Sequence, residues 1–116
     1  MDQKSLKINR LIQLRRELHQ HPEVSNQEKN TADKITTFLK STSPDELIND
    51  ISQYGIAAVY RGKKSGSAVM IRCELDALPI QEINQMEYQS THEGVAHKCG
   101  HDGHMSIVCG IADLLA

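Results

Sequence analysis

Four consecutive apolar residues, Ala68-Val69-Met70-Ile71, lead straight into Arg72, Cys73, Glu74 and Asp76. A strand that is apolar on both faces must be covered on both, so residues 68–74 are expected to form a central strand of an α/β sheet. Polar groups at the end of such a strand lie where open α/β sheets carry their sites, which makes Glu74 and Asp76 the first functional pointers. Residues 56–60 are expected to be the other arm of a hairpin, joined to it by the glycine-bearing turn 62–66.

The rest of the chain supplies the helices such a sheet needs. Ile8, Leu11, Ile12, Leu14 and Leu18 recur at helical spacing, which predicts a helix over 5–19, stopped ahead of Pro22. A second helix is predicted over 26–40, where Ala32, Ile35, Phe38 and Leu39 share a face and Glu28 supplies early negative charge. Residues 44–51 admit two readings. Ser43, Pro44 and Glu46 resemble a helix start, whereas Leu47, Ile48 and Ile51 suit an edge strand. The strand is preferred, because a helix there would barely exceed one turn. Residues 81–94 read as an irregular excursion with one short strand at most. Residues 103–116, with Met105, Ile107, Val108, Ile111, Leu114 and Leu115, predict an almost wholly apolar helix packed on the sheet. That helix reaches Ala116 without a cap or polar tail, as expected of a chain that continues.

Length and charge narrow the function. At 116 residues the chain suits one domain. A net charge of -2 and a pI near 6.3 give no electrostatic reason to expect a nucleic acid or an anionic membrane as partner. The basic run from Arg61 to Lys64 fits a solvated hairpin tip. No apolar stretch resembles a signal peptide or approaches the ~20 residues of a membrane span, so a cytoplasmic location is expected. Cys73, Cys99 and Cys109 are an odd number at open spacing, suited to a reducing compartment.

The chemistry concentrates in His97-Lys98-Cys99-Gly100-His101-Asp102-Gly103-His104. Cys99 and His101, two apart around Gly100, can face one point, and thiolate with imidazole suits zinc and related transition metals. Gly100 would let the backbone pass close to the ion. A buried cysteine beside a turn histidine is the ordinary alternative, against which His97, Asp102, His104, Glu74 and Asp76 all weigh. Two donors still do not complete a four-coordinate site.

Asp102 either orients an imidazole or caps the last helix. His104, in that helix's first turn, is expected to stay neutral. Asp76 is either the partner of a metal-bound imidazole or an ordinary polar strand end. His19 and His21, at the exit of the first helix, are expected to cap it or lie on the surface, without influence on metal binding. Cys109 reads as a core residue and Cys73 as a strand side chain. No Gly-x-Ser-x-Gly elbow and no glycine-rich phosphate loop occurs. Covalent catalysis through Cys99, with His101 or His104 as base, is a weaker use of a thiol set among metal donors.

Four segments carry a resemblance. They are Leu14-Arg15-Arg16-Glu17-Leu18-His19-Gln20-His21-Pro22-Glu23, then Ile71-Arg72-Cys73-Glu74-Leu75-Asp76-Ala77-Leu78-Pro79-Ile80, then the approach from Ser90 to His97, and Cys99-Gly100-His101-Asp102-Gly103-His104-Met105. In this order they resemble the N-terminal part of the N-acyl-amino-acid amidohydrolases, the metal-dependent hydrolases of aminoacylase, hippurate hydrolase and auxin-conjugate hydrolase type.

The resemblance implies a three-layer α/β catalytic domain of a di-metal, exopeptidase-like hydrolase. Residues 1–116 would be its N-terminal portion, without the inserted lid and dimerisation domain. Cys99 and His101 would be two ligands of a centre holding two divalent ions, zinc, manganese or cobalt. Asp76 would lie near the metals and Asp102 would support the site. Glu74 replaces a more usual aspartate and would support it at most. The remaining ligands and the catalytic glutamate would lie beyond Ala116. The implied full-length activity is hydrolysis of the amide bond of N-acyl amino acids by a homodimer, with two ions polarising the acyl carbonyl and acidifying water. This stretch alone would be inactive and need not hold a metal. A metal-dependent dipeptidase or aminopeptidase of related fold is the rival reading. A non-enzymatic zinc module is another, and would need four ligands from these residues.

Overall fold

The computed structural model describes residues 2–116, ordered as α1 (Gln3–Gln20), α2 (Lys29–Lys40), β1 (Glu46–Ile51), β2 (Gly55–Val59) and α3 (His101–Leu115). The first helix starts where the Asp2 carboxylate accepts the Ser5 amide at 2.8 Å. It closes where the His21 amide donates to the Glu17 carbonyl at 3.1 Å, the capping role expected of His21. Leu14 and Leu18 are buried and Leu11 partly so, while Ile8 and Ile12 stay largely exposed, so the apolar face is narrower than its sequence pattern.

In α2 the expected face is buried, with Ala32, Ile35, Phe38 and Leu39 all inside. Its free amides are served from a distance. Glu23, not Glu28, accepts the Thr31 amide at 2.5 Å, the Thr31 hydroxyl at 2.7 Å and the Asn30 amide at 3.3 Å. A carboxylate at a helix N-terminus also meets the positive end of the dipole.

The segment 44–51 forms a strand. β1 pairs antiparallel with β2 in the register Glu46↔Val59, Leu47↔Ala58, Ile48↔Ala57 and Ile51↔Gly55. Gly55 is required by this closure, since a Cβ there would come within 2.6 Å of the Ile51 carbonyl oxygen.

The expected hairpin of 56–60 with 68–74 does not form. β2 pairs with the segment before it, across a turn shorter than 61–67 and so cheaper to close. Residues 61–76 run on without a ladder partner among the described residues, with Val69 and Met70 85% and 87% exposed. The expected central strand at 68–74 is therefore corrected to an uncovered, unpaired stretch. Cys73 lies half-buried on this stretch rather than on a strand.

The expected packing of α3 against the sheet is only part of the picture, since α3 packs chiefly on α1 and also on α2, and the strands reach the shared core at its border. Met105, Cys109 and Ala112 meet Leu14, Leu18, Ile35, Phe38 and Leu39 in one core, which Leu47, Ile56, Ala58, Tyr60, Cys73 and Leu75 border. Leu18 and Met105 are each only 1% exposed, a burial that contributes ~1.5–3 kcal/mol per side chain.

Two isolated pairings bring the site together. The Ala77 amide donates to the Glu23 carbonyl at 2.8 Å, and Leu78 and Ala96 exchange two bonds of 3.0 Å. Residues 76–78 are thereby held beside the approach to α3. Residues 81–94 form the irregular excursion expected, without the one short strand allowed for, and Leu78 and Ala96 make the isolated bridge that flanks it. Among the described residues no helix is long and apolar enough to cross a membrane.

Candidate metal centre and the charge network behind it

The turn that carries the expected ligands depends on Gly100, whose φ of 94° is a conformation side-chain-bearing residues rarely adopt. Its carbonyl accepts the His104 amide at 3.1 Å, the first bond of α3, so Cys99 ends the loop and His101 begins the helix. Cys99 is exposed and free. His101 is half-buried, with Nδ1 2.8 Å from the Asp76 carbonyl oxygen and 3.0 Å from Asp76 Oδ1.

Both of those partners only accept, so Nδ1 must donate, and in the neutral ring Nε2 keeps the lone pair a metal needs. Asp76 is thus hydrogen-bonded to an imidazole, as one of its two readings requires. Glu74 Oε2 lies 3.7 Å from His101 Nε2, beyond hydrogen-bond range, and the same carboxylate pairs with Arg72 at 3.0 Å. The exposed His104 ring sits 5.9 Å from that of His101. Among the described residues, no three His, Cys, Asp or Glu side chains converge so as to hold a metal ion. The donors present fit a divalent ion of borderline softness as a ligand pair, not as a complete site.

Asp102 points elsewhere. The N-cap of α3 is Gly100, without a side-chain bond, so Asp102 does not cap the helix. Its Oδ2 lies 2.8 Å from His19 Nδ1 and 3.1 Å from Arg15 Nε. His19 is consequently not the surface or capping residue expected. It is 4% exposed, and its Nε2 lies 2.8 Å from Glu82 Oε2.

Glu82 was hidden in the irregular segment 81–94. It is 2% exposed, accepts the Ser90 amide at 2.8 Å and Lys98 Nζ at 2.9 Å, and is the least expected of the buried groups. Burial pushes its carboxyl up, but the bonds from Ser90, Lys98 and His19 outweigh that and hold it down at about 2.

His97 contrasts with His19. It is 5% exposed, its ring centroid is 6.4 Å from that of His19, and neither of its nitrogens has a hydrogen-bond partner among the described residues. Burial lowers its pKa, with the Asp102 charge pulling the other way, so it stays neutral. Cys109 is the core residue expected, its thiol pushed up to about 12 by burial, and burial also raises Cys73. Neither is poised as a nucleophile.

The comparisons with known proteins converge on one group. Residues 70–116 match the family described as peptidase family M20/M25/M40. An N-acetylcysteine deacetylase of Bacillus subtilis is 41% identical over 106 residues, covering 91% of this chain and 28% of the relative. An N-acyl-L-amino acid amidohydrolase of Geobacillus stearothermophilus is 42% identical over 106 residues, with the same coverage of 91% and 28%. The crystal structure of a Bacillus subtilis dinuclear metal-binding peptidase of the M20 family superposes with a TM-score of 0.90 at 38% identity, over 96% of this chain and 31% of that one. The chain thus spans less than a third of the length of these relatives.

Proposed function

We propose that residues 1–116 are the N-terminal portion of the catalytic domain of a metal-dependent amidohydrolase, because residues 70–116 match peptidase family M20/M25/M40 and the chain superposes on a dinuclear metal-binding peptidase of the M20 family. The whole protein then hydrolyses the amide bond of N-acyl amino acids, and these residues alone are inactive. The inserted lid and dimerisation domain, the other ligands and the general base lie outside them. The proposed enzyme is cytoplasmic and homodimeric.

One observation carries the reading. The bond from His101 Nδ1 to Asp76 leaves Nε2 as the lone-pair nitrogen of a neutral ring, two residues from the exposed, free Cys99. Cys99 and His101 would hold one edge of a centre for two divalent ions, zinc, manganese or cobalt. When bound, such ions polarise the acyl carbonyl and make the attacking water more acidic. Asp76 fixes the His101 ring and its tautomer, as carboxylate partners of ligand imidazoles do. Asp102, expected to support the site, faces His19 rather than the ligand pair.

The test is metal stoichiometry by elemental analysis beside hydrolysis of N-acetyl amino acids, for the intact protein and its Cys99→Ser variant. A neutral hydroxyl cannot replace a thiolate ligand, so metal content and turnover should fall together. Full loading and normal turnover in Cys99→Ser would remove this thiol from the site. Faster cleavage of free-amine dipeptides than of N-acyl amino acids would move the protein to the peptidase side of the family.

A further inference from the structure

Behind the ligand pair runs a chain of alternating charge that the proposed reaction does not use: Arg15, Asp102, His19, Glu82, Lys98. We propose that His19 is a positioning residue for the metal-binding turn, an imidazolium that ties α1 to Asp102 on one side of the ligands and, through Glu82, to Lys98 on the other. This inference rests on the assignment of Cys99 and His101 as ligands.

The ring's surroundings decide its protonation. Nδ1 and Nε2 each lie 2.8 Å from a carboxylate oxygen, and the side chain is 5% exposed. A neutral imidazole has a single N–H, so its other nitrogen would set a lone pair against a carboxylate at hydrogen-bond distance with no water between. Only a ring that donates from both nitrogens satisfies both partners. Each carboxylate has a second cation beside it as well, Arg15 at 3.1 Å from Asp102 and Lys98 at 2.9 Å from Glu82. The Tyr88 ring meets His19 edge-on at 5.7 Å between centroids, and the His97 ring lies 6.4 Å from the His19 ring.

The sequence positions supply the function. Lys98 immediately precedes Cys99-Gly100-His101 and Asp102 immediately follows, so both ends of the ligand triplet are anchored to one imidazolium on α1. The triplet turns through a left-handed glycine with open space where a side chain would stand, so no packed side chain at Gly100 itself helps to fix the turn. The anchor therefore sets the separation of the two donors before a metal arrives. Removing it leaves the ligands in place but adds an ordering cost to binding.

The experiment uses the intact protein and zinc ion as the probe. Ring nitrogens of 15N-histidine are observed by NMR, and zinc affinity is measured by competition with a chelator in the wild type, His19→Gln, Glu82→Gln and Cys99→Ser. We expect His19 to show two protonated ring nitrogens. His19→Gln should bind zinc ~10- to 100-fold more weakly.

Glu82→Gln keeps the shape and still bonds to the ring, but its amide can donate to Nε2. The ring then turns neutral and zinc affinity should fall, whereas a purely packing role would leave affinity unchanged. This variant also decides the matter if His19→Gln does not fold. A single-tautomer neutral spectrum for wild-type His19, or wild-type zinc affinity in the folded His19 or Glu82 variants while Cys99→Ser loses zinc, overturns the inference alone. Wild-type zinc affinity in Cys99→Ser overturns the ligand assignment, and this inference with it.

Discussion

The stretch 61–76 and the turn 97–102 reach the same histidine from opposite sides, yet they are held in different ways. The first is held chiefly at its two ends, where the Arg61 amide donates to Asp45 Oδ2 at 2.6 Å and where Asp76 is bonded to His101 beside Ala77, whose amide donates to Glu23. Between those ends, residues 62–75 have no backbone-to-backbone bond among the described residues, and Val69 and Met70 lie in solvent. The turn, in contrast, is tied to α1 and to residue 82 by side chains, with His97, Asp102 and Glu82 all buried. Apolar composition makes a segment able to be buried. Which segment is buried depends on whether another element lies alongside, and here α1 lies alongside the turn while nothing described lies alongside 68–71.

The largest expected effect tests the held region. Glu82 has its pKa lowered from an ordinary 4.5 to about 2, so the folded state favours its charged form. A group depressed in this way stabilises fully above its unfolded value and loses that contribution as pH falls from about 4.5 towards 2. At ~1.4 kcal/mol per pKa unit the contribution is on the order of 3 kcal/mol. Urea unfolding at a series of pH values should show a steep acid limb across that window. Glu82→Gln should flatten it. Equal acid limbs in the two proteins would mean that the turn is not held through this carboxylate.

The ease of reading these elements from sequence follows the distance over which their determinants act. The buried face of α2 was legible because Ala32, Ile35, Phe38 and Leu39 repeat at the helix's own period. The strand at β1 was legible from Leu47, Ile48 and Ile51, and Asp76 from its place at the end of an apolar run next to a polar cluster. The network behind the turn was not, because His19 meets Asp102 across 83 residues and Glu82 across 63. A signal did exist. Leu11, Leu14 and Leu18 form a stripe on α1, and His19 falls on its edge one turn after Arg15, which places both polar side chains beside the buried face. Glu82 had no such signal, since its segment has no period. The apolar run at 68–71 misled because its pattern describes a covered strand and says nothing about what covers it.

A smaller effect concerns the point where the two regions meet. Asp76→Asn keeps the size of the side chain and still offers an oxygen to His101 Nδ1, while the main-chain carbonyl at 2.8 Å remains. Only the negative charge that makes the ring a better donor to a metal is lost. Metal affinity in the intact protein should therefore fall ~10- to 100-fold, with folding unaffected. Chelator competition beside a thermal melt separates the two. An unchanged affinity would assign the ring's orientation to the Asp76 carbonyl and leave the carboxylate as an ordinary surface group.

The smallest effect lies in the unheld stretch. Met70 is 87% exposed and no ladder bond passes through it, so Met70→Ser in the 116-residue chain removes no buried contact and breaks no pairing. Substitutions at such positions ordinarily change stability by within about 0.5 kcal/mol. Amide exchange offers a second view of the same property. The amides of 62–75 have no backbone acceptor among the described residues and should exchange freely, while those in the middle of α3, bonded along the helix and packed on α1, should be protected. A cost of ~2 kcal/mol or more for Met70→Ser, together with slow exchange at Val69 to Ile71, would show that this stretch finds a covering partner in solution. The contrast between the two regions would then be one of pairing partner rather than of burial.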